Sequence, residues 1–217
     1  MTALSAAATH AESLAVRIAP LERANLDEAS KLLATSFVGD PFVRTIMPHE
    51  ASRRRALPWS MRGELIESMH AGGALGAYEG SKLVGVGVTF PFGTRSAGLT
   101  GHLKSLPSYA MTAVHNWRNL PRMIDEARIA ARHTPTDPHA YIGLLAVDPA
   151  LQGRGVGSQL LKSALAQADR GGHPAFIETS NPRNVPLYER MGFTTIDTFA
   201  SRGTTNWNMW RTARDAS

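Results

Sequence analysis

The chain of 217 residues contains no cysteine, which excludes disulfides, a thiolate nucleophile and cysteine-ligated zinc together. It also lacks any apolar run approaching the roughly 18 residues that a membrane span requires. Its eight histidines are scattered without an H-E-x-x-H pattern or other paired-ligand spacing, so no metal is expected. The absence of a G-x-S-x-G turn argues against a serine hydrolase. Charge is sparse, 19% of residues against 43% hydrophobic, and sums to a formal +5. Nucleic-acid binding would need that excess to be clustered, yet only Arg53, Arg54 and Arg55 stand together. Arg118, Arg122, Arg128 and Arg132 are interleaved with Asp125 and Glu126, as on a solvated helix face, so no nucleic-acid partner is expected. Residues 1–14 lack the cationic start of a signal peptide and read as a flexible tail; residues 15–217 read as a single domain in a cytoplasmic setting.

What the chain does contain is a glycine-rich turn between two apolar runs, "LLAVDPALQGRGVGSQLL", Leu144 to Leu161. Tyr141 to Val147 has strand length, and the residues from Ser158 onward have helical spacing. A strand thus enters a helix through glycines, leaving the first helical N–H groups at the positive end of the helix dipole, where a phosphate can bind. Around this turn the pattern predicts a strand at "LAVRIAP", a helix at "ANLDEASKLLATSF" and a second helix broken or started at Pro58. Two strands flank "EGSK". A helical insert over 91–138 opens with the glycine-rich "FGTRSAGLTG" and turns helical from Ser108. Strand, helix, strand, helix and a closing hairpin follow, with Gly143 marking a bulge in the strand before the turn.

The turn has no lysine before Ser158, unlike a nucleoside triphosphatase loop, and Gly153, Gly155 and Gly157 miss the G-x-G-x-x-G dinucleotide spacing. What remains is Q-x-x-G-x-G, running from Gln152 through Gly153, Arg154, Gly155 and Val156 to Gly157. Together with the later "NPRNVPLYERMGF", this segment resembles the GNAT superfamily of N-acetyltransferases, whose signature pairs a pyrophosphate loop with an L-Y-x-x-x-G-F helix. In its C-terminal half the chain looks most similar to the puromycin N-acetyltransferase-like small-molecule acetyltransferases.

The resemblance implies a mixed α/β (α+β) fold, with a largely antiparallel twisted sheet of about seven strands, flanked by helices and splayed between strands 4 and 5. It implies acetyl-coenzyme A as cofactor, with its pyrophosphate on the backbone of Gln152 to Gly157 and Ser158 and its pantetheine arm along Leu145, Ala146 and Val147. Tyr188 matches the family's tyrosine and is the candidate acid for the departing thiolate. The base is open between Glu178, Tyr141, His139 and a water chain. Asn181 and Asn184 suit either the pantetheine amides or the cap of the tyrosine helix. Asp40, Pro41 and Phe42 read either as an acceptor-side loop or as a helix end, and Trp59, Met61, Met69, Trp117 and Met123 as pocket or core. The expected reaction moves acetyl to a primary amine of a small molecule, on a monomer or homodimer. A peptide acetyltransferase and a non-catalytic cofactor-binding module are the alternatives.

Overall fold

The computed structural model describes residues 16–94 and 98–213. Seven strands among them form one sheet: β1 (Arg17–Pro20), β2 (Leu75–Glu79), β3 (Lys82–Phe90), β4 (Ala140–Val147), β5 (Ala175–Thr179), β6 (Thr194–Ser201) and β7 (Thr204–Arg211). Their order is β1-β2-β3-β4-β5-β7-β6, and every neighbouring pair is antiparallel except β4 and β5. Helices α1 (Leu26–Phe37), α2 (Pro41–Ile46) and α3 (Glu50–His70) precede β2; α4 (Gly98–Asn116) and α5 (Leu120–His133) join β3 to β4. The parallel crossover runs through α6 (Val156–Arg170), and α7 (Val185–Arg190) follows β5. This is the expected mixed α/β class. The expected tail lies outside the described residues.

Leu33 of α1 and Leu57 and Leu65 of α3 pack with Val86, Val88 and Ala146 in one core cluster. In a second, Leu161, Leu165 and Ala168 of α6 pack with Ile142, Ile177 and Met209. Between Ala77 and Tyr78 the β2–β3 register shifts, so Val84 is an extra residue on β3. One added residue reverses the facing of a strand, and Val84 accordingly packs with Val156 and Leu160 of α6 while Leu83 joins the first cluster. Gly85 lies under α6: a Cβ there would come within 3.0 Å of Leu160 and 3.2 Å of Val156. The missing side chain lets the start of α6 lie close against the sheet.

A second bulge shapes β4. Ile142 pairs with Thr89 and Leu144 with Val88, leaving Gly143 between them as the extra residue. On its other edge β4 pairs with β5 only at Ala140, Tyr141 and Ile142, although β4 continues to Val147. The strands therefore part where the bulge turns β4, and the backbone from Gly143 to Val147 borders the gap.

Two expectations about helices fail. α3 continues through Pro58 without a break. An internal proline costs about 3 kcal/mol, but Leu57, Met61 and Leu65 on α3 are at most 5% exposed, and each contributes about 2 kcal/mol on burial. Packing therefore outweighs the lost hydrogen bond. α4 begins at Gly98, ten residues before Ser108, and also runs through a proline, Pro107. Its buried positions are Gly101, Ser105, Ser108, Thr112 and Asn116, small or polar residues that allow a close approach to α3. Leu99, Leu103, Leu106 and Val114 of the same helix face outward. Hydrophobic periodicity points away from the packed face, so it misplaces this helix.

Candidate active site

The turn from β4 into α6 has the form the sequence predicts. Asp148 accepts from the Ala150 N–H at 3.0 Å and pairs with Lys82 at 3.3 Å, bracing the strand end. Gly153 and Gly155 then take φ of 78° and 82°, where side chains are disfavoured. The first helical bond of α6 runs from the Gln159 N–H to the Gly155 carbonyl at 3.0 Å, so Val156, Gly157 and Ser158 form its open first turn. Val156 is 1% exposed and anchors this turn in the core; the Gln152 amide folds back toward the Val147 carbonyl at 3.5 Å. Arg154 is exposed. An open first helical turn, positive-φ glycines and an exposed arginine fit a pyrophosphate. The backbone of Leu145, Ala146 and Val147, beyond the last residue paired with β5, leads from the turn to the gap between β4 and β5, which fits a pantetheine arm.

At that gap lies a cavity of about 280 Å³. β4 lines it with Tyr141, Gly143, Leu144 and Leu145, β5 with Glu178, and α7 with Tyr188. The Tyr141 hydroxyl donates to Glu178 Oε1 at 2.5 Å. Burial raises the Glu178 carboxyl above its ordinary range, opposed by that hydrogen bond. Tyr188 is 6% exposed; burial, aided by the Asp40 charge and opposed by Asn184, pushes its hydroxyl up to about 12. It holds its proton throughout the neutral range.

The remaining candidates are placed unequally. His139 is 2% exposed at the start of β4, its Nδ1 2.7 Å from the Asp137 carbonyl and its ring edge-on to Phe176 and Trp210; it does not line the cavity. Asn184 lines the cavity and donates to Thr179 Oγ1 at 3.2 Å, and it makes no side-chain cap on α7. Asn181 accepts from the Arg183 N–H at 3.1 Å, closing the turn before α7. Asp40 caps α2 through the Phe42 and Val43 N–H groups, at 2.9 and 3.1 Å, and also faces the cavity. Met61 lines the cavity, Met69 and Met123 pack on the core, and Trp59 and Trp117 are exposed. Arg53, from the basic cluster, is buried with Nη1 2.7 Å from the Met47 carbonyl.

Glu64 belongs to no sequence motif. It lines the cavity from α3, and burial, helped by the charges of Glu67 and Glu178, raises its carboxyl to about 7. A signal was available: Leu57, Met61, Glu64 and Ser68 follow helical spacing, placing a carboxylate on a buried stripe.

A sheet split between its parallel strands, with a phosphate-ready turn on one and a protonated tyrosine beside the split, has the architecture of an acetyltransferase. Residues 40–193 match the Acetyltransferase (GNAT) family, and the chain belongs to it. Over 57 residues it is 44% identical to Acetyltransferase Atu2258 of Agrobacterium fabrum (strain C58), an alignment spanning 26% of this chain and 42% of that relative. It thus spans less than half the length of that curated protein. The crystal structure of a histone acetyltransferase HPA2 and related acetyltransferase from Corynebacterium glutamicum superposes with a TM-score of 0.68 at 21% identity, covering 94% of this chain and 99% of that one. The PaiA N-acetyltransferase of Thermoplasma acidophilum, in complex with coenzyme A, gives 0.58 at 14% identity, covering 92% and 99%. At these identities the structures share the fold. No helix among the described residues is long and apolar enough to cross a membrane.

Proposed function

We propose that this protein, as a single catalytic domain over residues 15–217, transfers acetyl from acetyl-coenzyme A to the primary amine of a small molecule by direct attack in a ternary complex. When bound, the cofactor supplies an acetyl thioester. The open turn from Gln152 to Ser158 binds its pyrophosphate, with Arg154 adding charge, and the backbone of Leu145 to Val147 aligns its arm. Glu178, oriented by the Tyr141 hydroxyl, takes a proton from the bound ammonium so that the nitrogen attacks as a neutral amine; Tyr188 Oη gives its proton to the departing thiolate and regains one from the nitrogen as the amide forms. With no cysteine to carry the acetyl group, transfer goes straight to the amine.

The observation that carries the small-molecule reading is the cavity. It is about 280 Å³ and is walled on the acceptor side by α2, α3, Ala130 of α5 and Phe199 of β6. α5 is held there because Glu126, 2% exposed, accepts from Ser201 at 2.9 Å and Arg202 at 2.5 Å in the β6–β7 turn. The test is coenzyme A release across a panel of amines, including puromycin, with Tyr188→Phe alongside. Amine-dependent release that drops at least ~10-fold in the variant, within the usual span of acid–base catalysis, is expected. Release with peptides alone would shift the assignment to a peptide acetyltransferase; cofactor binding without release on any amine would shift it to a non-catalytic module.

A further inference from the structure

Among the described residues, the acceptor cavity is lined by three carboxylates, Asp40, Glu64 and Glu178, and by no lysine, arginine or histidine. The three differ in how their charge is met. Asp40 Oδ1 accepts from two backbone N–H groups of α2, with the Ser180 hydroxyl at 3.4 Å. Glu178 accepts the short bond from Tyr141. Glu64 has a hydroxyl contact from Tyr109 of α4 at 3.5 Å, too long for a strong hydrogen bond. The neighbouring Arg53, engaged by the carbonyls of Met47 and Pro48, does not line the cavity.

A reacting amine cannot balance these charges, because its nitrogen must be neutral to attack. An acceptor with one amine would therefore leave Glu64 facing a neutral molecule in a site that already disfavours its anion. A second cation on the same acceptor removes that penalty, and Leu57, Met61 and Ile46, which line the same cavity, offer an aliphatic wall for the chain between the two. We propose that the acceptor is a flexible aliphatic diamine, whose reacting nitrogen lies at Glu178 and Tyr188 and whose distal ammonium pairs with Glu64. The upward shift of the Glu64 carboxyl agrees with a site whose counter-ion arrives with the substrate.

This inference rests on the small-molecule reading, and a matched pair of amines separates the two. Coenzyme A release is measured at about pH 8 with saturating acetyl-coenzyme A, using butylamine and its terminal diamine, putrescine, on the parent protein, Glu64→Gln and Glu64→Asp. Circular-dichroism melts monitor the fold of each variant. The expected parent kcat/KM for putrescine exceeds that for butylamine at least ~10-fold, the scale of a partly desolvated charge pair. Glu64→Gln should bring the ratio to within ~3-fold, and Glu64→Asp, which keeps the charge, should retain part of it. Turnover of both amines with equal kcat/KM overturns this inference and leaves the small-molecule reading standing. A putrescine preference that survives in folded Glu64→Gln also overturns it. No release with these or any other small amine overturns both.

Discussion

Replacing Glu64 by glutamine should stabilise the protein above neutrality and change it little near pH 4.5. Burial is the first cause of the high Glu64 value, followed by the charge of Glu67, with the long Tyr109 hydroxyl contact opposing and the Glu178 charge adding. A carboxyl that titrates at about 7 when folded, against an ordinary 4.5, holds a proton in the folded state while the unfolded chain has lost it. Folding then takes up a proton between those values, so stability declines as the pH rises through this window and levels off above it. At 1.36 kcal/mol per pH unit, the gap corresponds to about 3 kcal/mol lost by pH 8. Glutamine has no proton to lose and avoids that loss. Asp40 and Glu178 are raised in the same direction, and His102 faces Glu67 at 3.1 Å, but all remain in both proteins. The difference between variant and parent therefore isolates Glu64. Urea denaturation of both, at about pH 4.5 and pH 8, should show the stability difference moving by about 3 kcal/mol in favour of the variant. Parallel profiles, differing by less than ~0.5 kcal/mol across the range, would refute the reasoning.

Three further outcomes follow from other contacts. Gly155→Val forces a β-branched residue to φ of 82° at the start of α6, so stability should fall by about 1–2 kcal/mol and coenzyme A affinity by at least ~10-fold, read by calorimetry. Gly63→Ala would place a methyl 2.6 Å from the Tyr109 ring, and because that ring touches Glu64 it cannot move freely; a loss of about 1–3 kcal/mol is expected in denaturant melts. Tyr141→Phe removes the hydroxyl that favours the Glu178 anion, so the acidic limb of the pH–rate profile should move to higher pH and activity at neutral pH should fall.

Much of the fold was legible because its signals are local. The turn after β4 needs glycines within a few residues of one another, the β6–β7 turn carries Arg202 and Gly203 at positive φ, and Gly143 sits in the bulge its position suggested. Neighbouring residues decide such features, so a short stretch of chain suffices to read them. The same holds for α7, where Tyr188 sits between Pro186 and Gly192 on a helix of only six residues.

The acceptor cavity was not legible in the same way, because it exists only where distant segments meet. The Ser180–Asp40 contact joins residues 140 positions apart and the Tyr141–Glu178 bond spans 37. Burial of Leu57, Met61 and Leu65 carries α3 past Pro58, and it is this continuity that delivers Glu64 to the cavity. α4 packs through serine, threonine and glycine, so no apolar pattern announces its inner face. By itself the sequence determined the phosphate-ready turn, the tyrosine helix and the order of elements, all set by steric and hydrogen-bonding demands over a few residues. Only the tertiary structure decided which carboxylates share the cavity, since desolvation and the field of neighbouring charges depend on what is packed around a group and not on its neighbours in the chain.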